Sequence, residues 1–439
     1  MDLLNKLAVT ADRPGFNWKG LVLGFTVGHY MFSSYLNYRQ YKVLCRPAPP
    51  PEIAGVLDEK TFKRTQEYGR AKQKFGFFKS LYNLAQNVGI ITFDALPKLF
   101  NWSGRLLAKW APQWMVGTGP QSIVMFLALQ VISSIVDMPM DLYSHFVLEE
   151  KFGFNKQTYK LFFMDWLKSQ MLMFAIGTPV LAAIVKIVDY FGDSFFFYLW
   201  LFTVGFQVVL IAVFPTLIQP LFNKLTPLED GELKQSVEDL AKRVKFPLTK
   251  LHVIDGSKRS SHSNAYFYGL PWSKQIVLFD TLIEKSTVDE VTAVLAHEIG
   301  HWSLSHTTKL LGITQVHLLS IFALFSAFIH NKSLYNSFGF YDSYPILVGF
   351  LLFNDILQPV DSIITFGMNL TSRTFEYQAD KYAADLNYGP DLSRSLINIH
   401  AENLGTVDAD WLYSAYTMSH PLLPERLRAL GWKPEEKAQ

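Results

Sequence analysis

One short run in the sequence, His297-Glu298-Ile299-Gly300-His301, has residue types and spacing that could hold a metal ion. Its surroundings predict a helix, because Thr287 and Glu290 have the spacing of a capping box and apolar residues follow at helical intervals. Residues four apart project from one face of a helix, so both imidazoles can reach a single Zn²⁺. Glu298 could then hold and deprotonate a water molecule at that ion. The alternative is a chance pair of surface histidines one turn apart.

A catalytic zinc site needs a third protein ligand. Positions 304 and 307, where a longer histidine motif would continue, hold Leu304 and Thr307. His306 follows His301 by five residues, which is about 140° around a helix, so we expect it to point elsewhere, as a surface residue or one behind the ligands. The third ligand must therefore come from another element.

The best candidate for that ligand lies in residues 372–386, which predict a capped amphipathic helix. Glu376 and Asp380 are one turn apart on one face of this helix. Glu376 could ligate zinc while Asp380 accepts a hydrogen bond from a ligating histidine. Two acids on a solvated helix face are the alternative, and it weakens here because a carboxylate is the missing ligand.

The composition indicates that these helices belong to a membrane protein. Of 439 residues, 49% are hydrophobic and only 18% are charged, whereas a typical globular chain has about 25% charged residues. A formal net charge of +2 offers no electrostatic footprint for nucleic acid. The single cysteine, Cys45, excludes an intramolecular disulfide.

Seven segments are long and apolar enough to span a bilayer: residues 21–38, 81–100, 121–140, 171–188, 194–218, 310–329 and 346–370. The segment 81–100 is the weakest of them because several polar residues dilute it, and five or six spans are the alternative. Two of the spans separate His301 from Glu376. These two must form a hairpin that returns the chain to the same membrane face if both residues are to bind one metal.

The charges of the connecting loops predict the orientation. Residues 39–79 carry ten Lys and Arg against four acids, whereas residues 331–345 carry only Lys332. Excess positive charge marks the cytoplasmic side, which places the N-terminus in the lumen and the C-terminus in the cytoplasm. Glycosylation sequons at Asn101 and Asn331 fall in loops that this topology makes lumenal, although each could occur by chance.

Two more polar segments, residues 219–308 and 371–439, have lengths that would let them pack together. In the first, residues 248–255, 264–269 and 275–280 are β-branched or aromatic runs that predict a small sheet. The predicted organisation has four parts: transmembrane helices one to five in 1–218, the first part of a zinc protease domain in 219–308, transmembrane helices six and seven in 309–370, and the second part of the domain in 371–439.

Four motifs taken together, HEIGH, FEYQAD, SNAYFYG and SHPLLPER, resemble those of the integral-membrane zinc endoproteases of the type I CAAX prenyl protease family. The resemblance extends over nearly the whole chain. It implies an α-helical integral membrane protein of about seven transmembrane helices that enclose a chamber. It also implies a mainly α, gluzincin-like zinc-metalloprotease domain that carries the small β-sheet.

The resemblance implies one Zn²⁺ per chain, held by His297, His301 and Glu376, with Glu298 as general base. It leaves Asp380 either as a residue that orients a ligand or as a proton donor. The resemblance implies three further roles: stabilisation of the oxyanion by His420, support of local structure or of a substrate group by Arg426, and pairing with the substrate backbone by Asn264 and Ala265.

The implied activity is removal of the last three residues from farnesylated CAAX proteins, with a second cut in a mating-pheromone precursor as an addition. Prenylated CAAX proteins and the lipid bilayer are the implied partners, and nucleic acid is not. The implied location is the endoplasmic reticulum membrane and the inner nuclear membrane, with the zinc domain facing the cytoplasm. Two alternatives stay open: a quality-control zinc protease for membrane proteins, and a multispan transporter with a structural zinc.

Four ionisable residues fall inside the predicted spans: His29, His317, Asp355 and Asp361. Such residues are costly in a bilayer and usually functional, so they suggest a wet interior. Polar pairing between packed helices is the alternative.

Overall fold

The structure is a computed structural model that describes residues 2–270 and 272–433. Up to residue 222 the described chain is helical, with short 3₁₀ and π-helical segments at several joints. The helices of this half are α1 (Asp2–Ala11), α2 (Trp18–Val43), α3 (Glu59–Thr92), α4 (Ala95–Trp110), α5 (Thr118–Tyr143), α6 (Glu150–Phe152), α7 (Tyr159–Leu172), α8 (Thr178–Phe191), α9 (Phe195–Val213) and α10 (Gln219–Phe222).

The second half combines a sheet with further helices. These helices are α11 (Glu232–Arg243), α12 (Asp280–Lys285), α13 (Val288–Ser303), α14 (His306–Phe328), α15 (Lys332–Ser337), α16 (Ile346–Asp385), α17 (Gly389–Glu402), α18 (Trp411–Thr417) and α19 (Leu423–Ala429). The described chain is thus mostly helical, as predicted.

Among the described residues, four helical stretches are long and apolar enough to cross a membrane: Thr118–Phe152, Tyr159–Phe222, His306–Phe328 and Ile346–Asp385. The second is 64 residues long, which exceeds one passage of about 20 residues, and Gly192 (φ 50°) separates α8 from α9 within it. These stretches contain the last five predicted spans, except that His306–Phe328 ends one residue before the predicted limit at 329. Helices α2 and α3, which contain the first span and most of the second, are more polar.

The second predicted span, residues 81–100, has the wrong boundary. Helix α3 ends at Thr92, and Asp94 adopts a left-handed conformation (φ 51°) before α4 begins. An aspartate tolerates this conformation better than most residues, and its Oδ1 lies 2.8 Å from Lys19 Nζ. Helix α3 therefore contains only residues 81–92 of this predicted span, and the chain turns at Asp94 before α4.

The predicted sheet is present and has one more strand than the sequence indicated. Its strands are β1 (Leu225–Pro227), β2 (Leu248–Ile254), β3 (Ala265–Leu270) and β4 (Ser273–Phe279), in the order β1-β2-β4-β3. Strands β2 and β4 are parallel, and the other pairs are antiparallel. Strand β3 therefore lies at one edge of the sheet.

The two polar segments, residues 219–308 and 371–439, contribute to one hydrophobic core. Val237, Leu278 and Leu295 come from before the α14–α16 hairpin, and Ala383 and Leu423 come from after it, yet they form a single buried cluster. The hairpin thus returns the chain to the same body, as the shared metal site requires.

Helices α13 and α16 meet at a glycine. A Cβ atom at Gly300 would lie 3.1 Å from Tyr382 Cδ1 and 3.2 Å from Ala379 Cα. Glycine at this position allows the two backbones to approach closely, and the approach brings the histidine motif against the face of α16 that carries Glu376.

A second cluster joins the N-terminal helices to the loop after α14, and Asn331 is buried beside it. Its Oδ1 accepts hydrogen bonds from Leu334 N and Ser333 Oγ, both at 2.8 Å, and so caps α15. A side chain buried in this way cannot carry a glycan in the folded protein. The Asn331 sequon therefore gives no support to the topology, whereas Asn101 is exposed.

Of the four ionisable residues named in the predicted spans, three have polar partners and one has none among the described residues. His317 Nε2 lies 3.4 Å from Asp361 Oδ1, and His29 is within 3.5 Å of hydroxyls on α2 and α16. Asp355 is exposed and belongs to no hydrogen bond or ion pair of the described residues. Three of the four thus have the polar partners of the alternative interpretation, and Asp355 alone faces open space.

Candidate metal centre

Ligand atoms of His297, His301 and Glu376 lie within 4.8 Å of one another. The two Nε2 atoms are 3.2 Å apart, and they lie 3.5 Å and 3.3 Å from the Glu376 carboxylate oxygens. Ligands bound tetrahedrally to zinc at about 2.0–2.1 Å are roughly 3.3 Å from each other. The three side chains therefore fit one zinc ion.

The electrostatics of His297 also suit a cation. Burial disfavours the charged form, but hydrogen bonds to Asp380 and Glu376 outweigh it and raise the pKa of His297 to about 9. The surroundings thus stabilise positive charge between these groups, and a metal ion supplies that charge in place of a proton.

Glu298 adjoins the first histidine on α13. Burial raises the pKa of its carboxyl group, and the charges of His297 and His301 act in the opposite direction. A raised pKa suits Glu298 to proton transfer, because a general acid or base works best when its pKa is close to the operating pH.

Asp380 and Arg426 form a buried pair behind the ligands. Asp380 Oδ1 lies 2.8 Å from His297 Nδ1. Arg426 donates two hydrogen bonds to the same carboxylate, from Nε at 2.8 Å and from Nη2 at 2.6 Å, and its Nη1 lies 3.5 Å from Glu376 Oε2. The arrangement holds His297 with Nε2 towards the ligand cluster. It supports the orienting role for Asp380 and the local structural role for Arg426.

His420 approaches the cluster from the loop before α19. Its Nδ1 lies 3.1 Å from Glu376 Oε1, while its side chain is 67% exposed. A histidine that is close to a ligand and open to solvent can reach a bound peptide as well. Its position suits a hydrogen-bond donor for an oxyanion.

His306 lies behind a ligand, which is one of the two positions predicted for it, but its predicted direction around the helix is wrong. It is buried, its Nδ1 lies 3.0 Å from His301 Nδ1, its Nε2 lies 2.9 Å from Gln378 Oε1, and its ring stacks on Phe375. The 140° estimate assumed one continuous helix. The chain instead turns at Ser305 (φ 57°) and starts α14 at His306, which brings the ring back against His301.

Ala265 begins the edge strand β3, and Asn264 directly precedes it. Ala265 pairs with Leu278 of β4, and Asn264 O accepts a hydrogen bond from Phe279 N at 3.1 Å. The Asn264 side chain is exposed, and its Oδ1 lies 2.8 Å from Ala265 N. This edge can pair with an extended peptide, although the Asn264 amide must turn aside if that peptide is to reach the Ala265 N–H.

A helical membrane bundle with this set of histidines and acids defines the class of membrane metallopeptidases. Two family models match nearly all of the chain: "CAAX prenyl protease N-terminal, five membrane helices" over residues 40–224, and "Peptidase family M48" over residues 227–432. The chain therefore belongs to peptidase family M48, within its CAAX prenyl protease 1 group.

Individual relatives agree with the family models. The CAAX prenyl protease 1 of Saccharomyces cerevisiae is 47% identical over 98% of this chain and 99% of that protein. The homolog from Homo sapiens is 38% identical over 94% of each chain. The crystal structure of S. mikatae Ste24p matches with a TM-score of 0.91 and 49% identity, over 95% of this chain and 100% of that chain. The predicted family and fold class are confirmed.

Proposed function

We propose that this protein is a zinc-dependent endopeptidase that removes the last three residues from farnesylated CAAX proteins. The observation that carries the proposal is the convergence of His297, His301 and Glu376, whose ligand atoms lie within 4.8 Å. The substrate class rests on relatives that are named CAAX prenyl protease 1. We assign one Zn²⁺ per chain to these three residues.

Each residue of the centre has a role in hydrolysis. Zinc, when bound, polarises the scissile carbonyl and lowers the pKa of water. Glu298 accepts a proton from the attacking water and delivers it to the leaving amine. His420 donates a hydrogen bond to the developing oxyanion. Asp380 holds the His297 ring, and Arg426 holds Asp380.

Substrate binding is assigned to the start of the edge strand. Asn264 and Ala265 offer backbone groups to an extended peptide, which would lie antiparallel or parallel to β3. The pairing fixes the register of the peptide and therefore the bond that is presented to the centre. A second cut, in a mating-pheromone precursor, would use the same strand with a different peptide register.

We assign the protein to the endoplasmic reticulum membrane and the inner nuclear membrane, with the metal centre facing the cytoplasm. The basic segment of residues 39–79, which contains the end of α2 and the first part of α3, supports this orientation. The working division is 1–218 and 309–370 for the membrane helices, and 219–308 with 371–439 for the protease part. Residues 434–439 lie outside the described part of the chain.

The test measures zinc content and cleavage together. Purified wild type and Glu298→Gln receive a farnesylated CAAX peptide and its unprenylated twin. We expect the variant to keep zinc but lose cleavage by a factor of 10² or more, on the order of a general-base contribution. Glu284→Gln, an exposed glutamate on α12, is the matched control.

Three other outcomes would contradict the assignment. Full activity in Glu298→Gln would show that Glu298 is not the general base. Equal cleavage of both peptides would favour a quality-control protease. Zinc-dependent solute flux without chelator-sensitive proteolysis would favour a transporter.

A further inference from the structure

We propose that a groove between α3 and α5 binds an anionic phospholipid. This α3–α5 groove has a volume of about 660 Å³, and the residues that matter for its chemistry are Arg70, Lys74, Phe78, Tyr143, Val147 and Lys151. The proposal concerns the lipid around the protein and is independent of the peptide substrate.

The groove carries cations without acidic partners. Within the described chain, no carboxylate oxygen lies within 4.0 Å of the charged nitrogens of Arg70, Lys74 or Lys151. Arg70 donates to the Leu44 carbonyl, and the two lysines lie near aromatic rings. Glu67 is the only acid among the lining residues, so the groove has net positive charge.

One nearby cation of α3 is paired with an acid, in contrast to the three cations of the groove. Lys79, one turn further along α3, lies 3.2 Å from Asp141 on α5. Lys79 of α3 is thus paired with an acid of α5, whereas Arg70 and Lys74 of the same helix α3 have no acidic partner in the groove. An anion that is not part of the described chain would neutralise these cations.

The cations extend from one end of the groove to its middle, where Lys74 adjoins the Phe75–Tyr143 ring pair, and Phe78 lies towards the other end. On α3, Arg70, Lys74 and Phe78 are four residues apart and form one row, about 6 Å per step. The other wall carries a similar row, in which Tyr143 and Val147 precede Lys151 along the chain. Because Phe75 stacks on Tyr143 and Lys79 pairs with Asp141, the two walls are antiparallel, and their basic ends coincide.

The apolar end is open to the surroundings. Phe78 is 56% exposed, and Tyr143 and Val147 are each 48% exposed. Tyr143 and Val147 lie within Thr118–Phe152, one of the stretches long and apolar enough to cross a membrane, where acyl chains cover such surfaces. A phospholipid matches both ends, with a phosphate at the cations and hydrocarbon against the aromatic rings.

The groove faces away from the protease core. Thr65 is buried and lies about 180° around α3 from Lys74. Phe62, also buried, belongs to the core cluster of the protease region. The groove therefore opens on the side of α3 opposite Thr65, away from the buried cluster that packs around the metal centre.

Net negative charge distinguishes the preferred lipid from a zwitterionic one. Phosphatidylcholine also offers a phosphate, but its ammonium group would stand among three cations. Phosphatidylserine adds a carboxylate and has a net charge of −1. We therefore expect a preference for phosphatidylserine and no competition from free inorganic phosphate, which lacks the acyl chains.

The test uses the full-length protein in detergent micelles with a fluorescent phosphatidylserine. We expect the double variant Lys74→Gln/Lys151→Gln to bind it roughly 30-fold more weakly, which corresponds to two surface charges. Lys60→Gln/Lys250→Gln removes the same charge at exposed sites elsewhere and is the matched control. Unlabelled phosphatidylserine should compete, whereas phosphatidylcholine and inorganic phosphate should not.

A second measurement does not depend on how the variant folds. A photoreactive phosphatidylserine added to wild type should crosslink to residues of the α3–α5 groove, located by mass spectrometry. Equal binding by the groove variant and wild type would overturn the proposal. Equal competition by phosphatidylcholine, or crosslinks confined to other surfaces, would overturn it as well.

Discussion

Asp380→Asn separates the two roles that the sequence leaves open for this residue. Asp380 is 1% exposed and contacts three nitrogens at 2.6–2.8 Å: His297 Nδ1, Arg426 Nε and Arg426 Nη2. Asparagine retains one acceptor oxygen and turns an NH₂ group towards at least one of these donors. The buried Arg426 then loses the charge that compensates it.

The magnitude follows from these contacts. Loss of one partner from a buried ion pair costs about 3–5 kcal/mol of stability. Loss of the hydrogen bond that orients a ligating histidine lowers metal affinity by about 10- to 100-fold. Asp385→Asn on the same helix is the control, because Asp385 is 65% exposed and pairs only with Lys381, so that we expect less than about 1 kcal/mol.

Zinc affinity, measured by competition with a chromophoric chelator, and thermal unfolding are the two readouts. If Asp380 orients His297, zinc affinity falls together with stability. A proton donor would instead lower kcat and leave zinc affinity unchanged. An unchanged zinc affinity in Asp380→Asn would refute the orienting role of the buried pair.

Three further predictions concern the same centre. Gly300→Ala should cost about 1–3 kcal/mol of stability and weaken zinc binding, because the added methyl group separates α13 from α16; unchanged thermal unfolding would contradict this. His306→Phe keeps the ring that stacks on Phe375 but removes both nitrogens, and it should lower zinc affinity by about 10-fold in the chelator assay; affinity equal to wild type would exclude a role for His306. Dialysis against a chelator should abolish peptide cleavage and added Zn²⁺ should restore it, whereas persistent cleavage by metal-free protein would rule out the zinc assignment.

The sequence predicts those parts of the site that depend on local periodicity. The capping box at Thr287 and Glu290 forms as expected and starts the helix that carries both histidines. The sequence predicts Glu376 as a ligand because a zinc site needs a third ligand, and because a hairpin of two spans can bring this residue back to the histidines. The first inference uses spacing along a helix, and the second uses the ligand number of a zinc site together with the order of the apolar segments, all of which a sequence displays directly.

The failures occur where one residue reverses or ends a helix. Ser305 and Asp94 adopt left-handed conformations, and neither is the glycine or proline that would mark such a turn. The burial of Asn331 depends on contacts with distant helices, which a sequon does not reveal. The short strand β1 has only three residues, too few for an alternating pattern.

Helix α16 acts as a lever arm between the bilayer and the metal centre. Its only internal proline is Pro359, and the 17 residues from there to Glu376 span about 25 Å. A tilt of 2° about Pro359 would move Glu376 by about 0.9 Å, several times the roughly 0.2 Å tolerance of a metal–ligand distance. Because α13 packs against α16 at Gly300, the two histidines would move together with Glu376. A tilt of α16 in response to bilayer thickness would therefore reorient the whole centre and preserve the distances between its ligands.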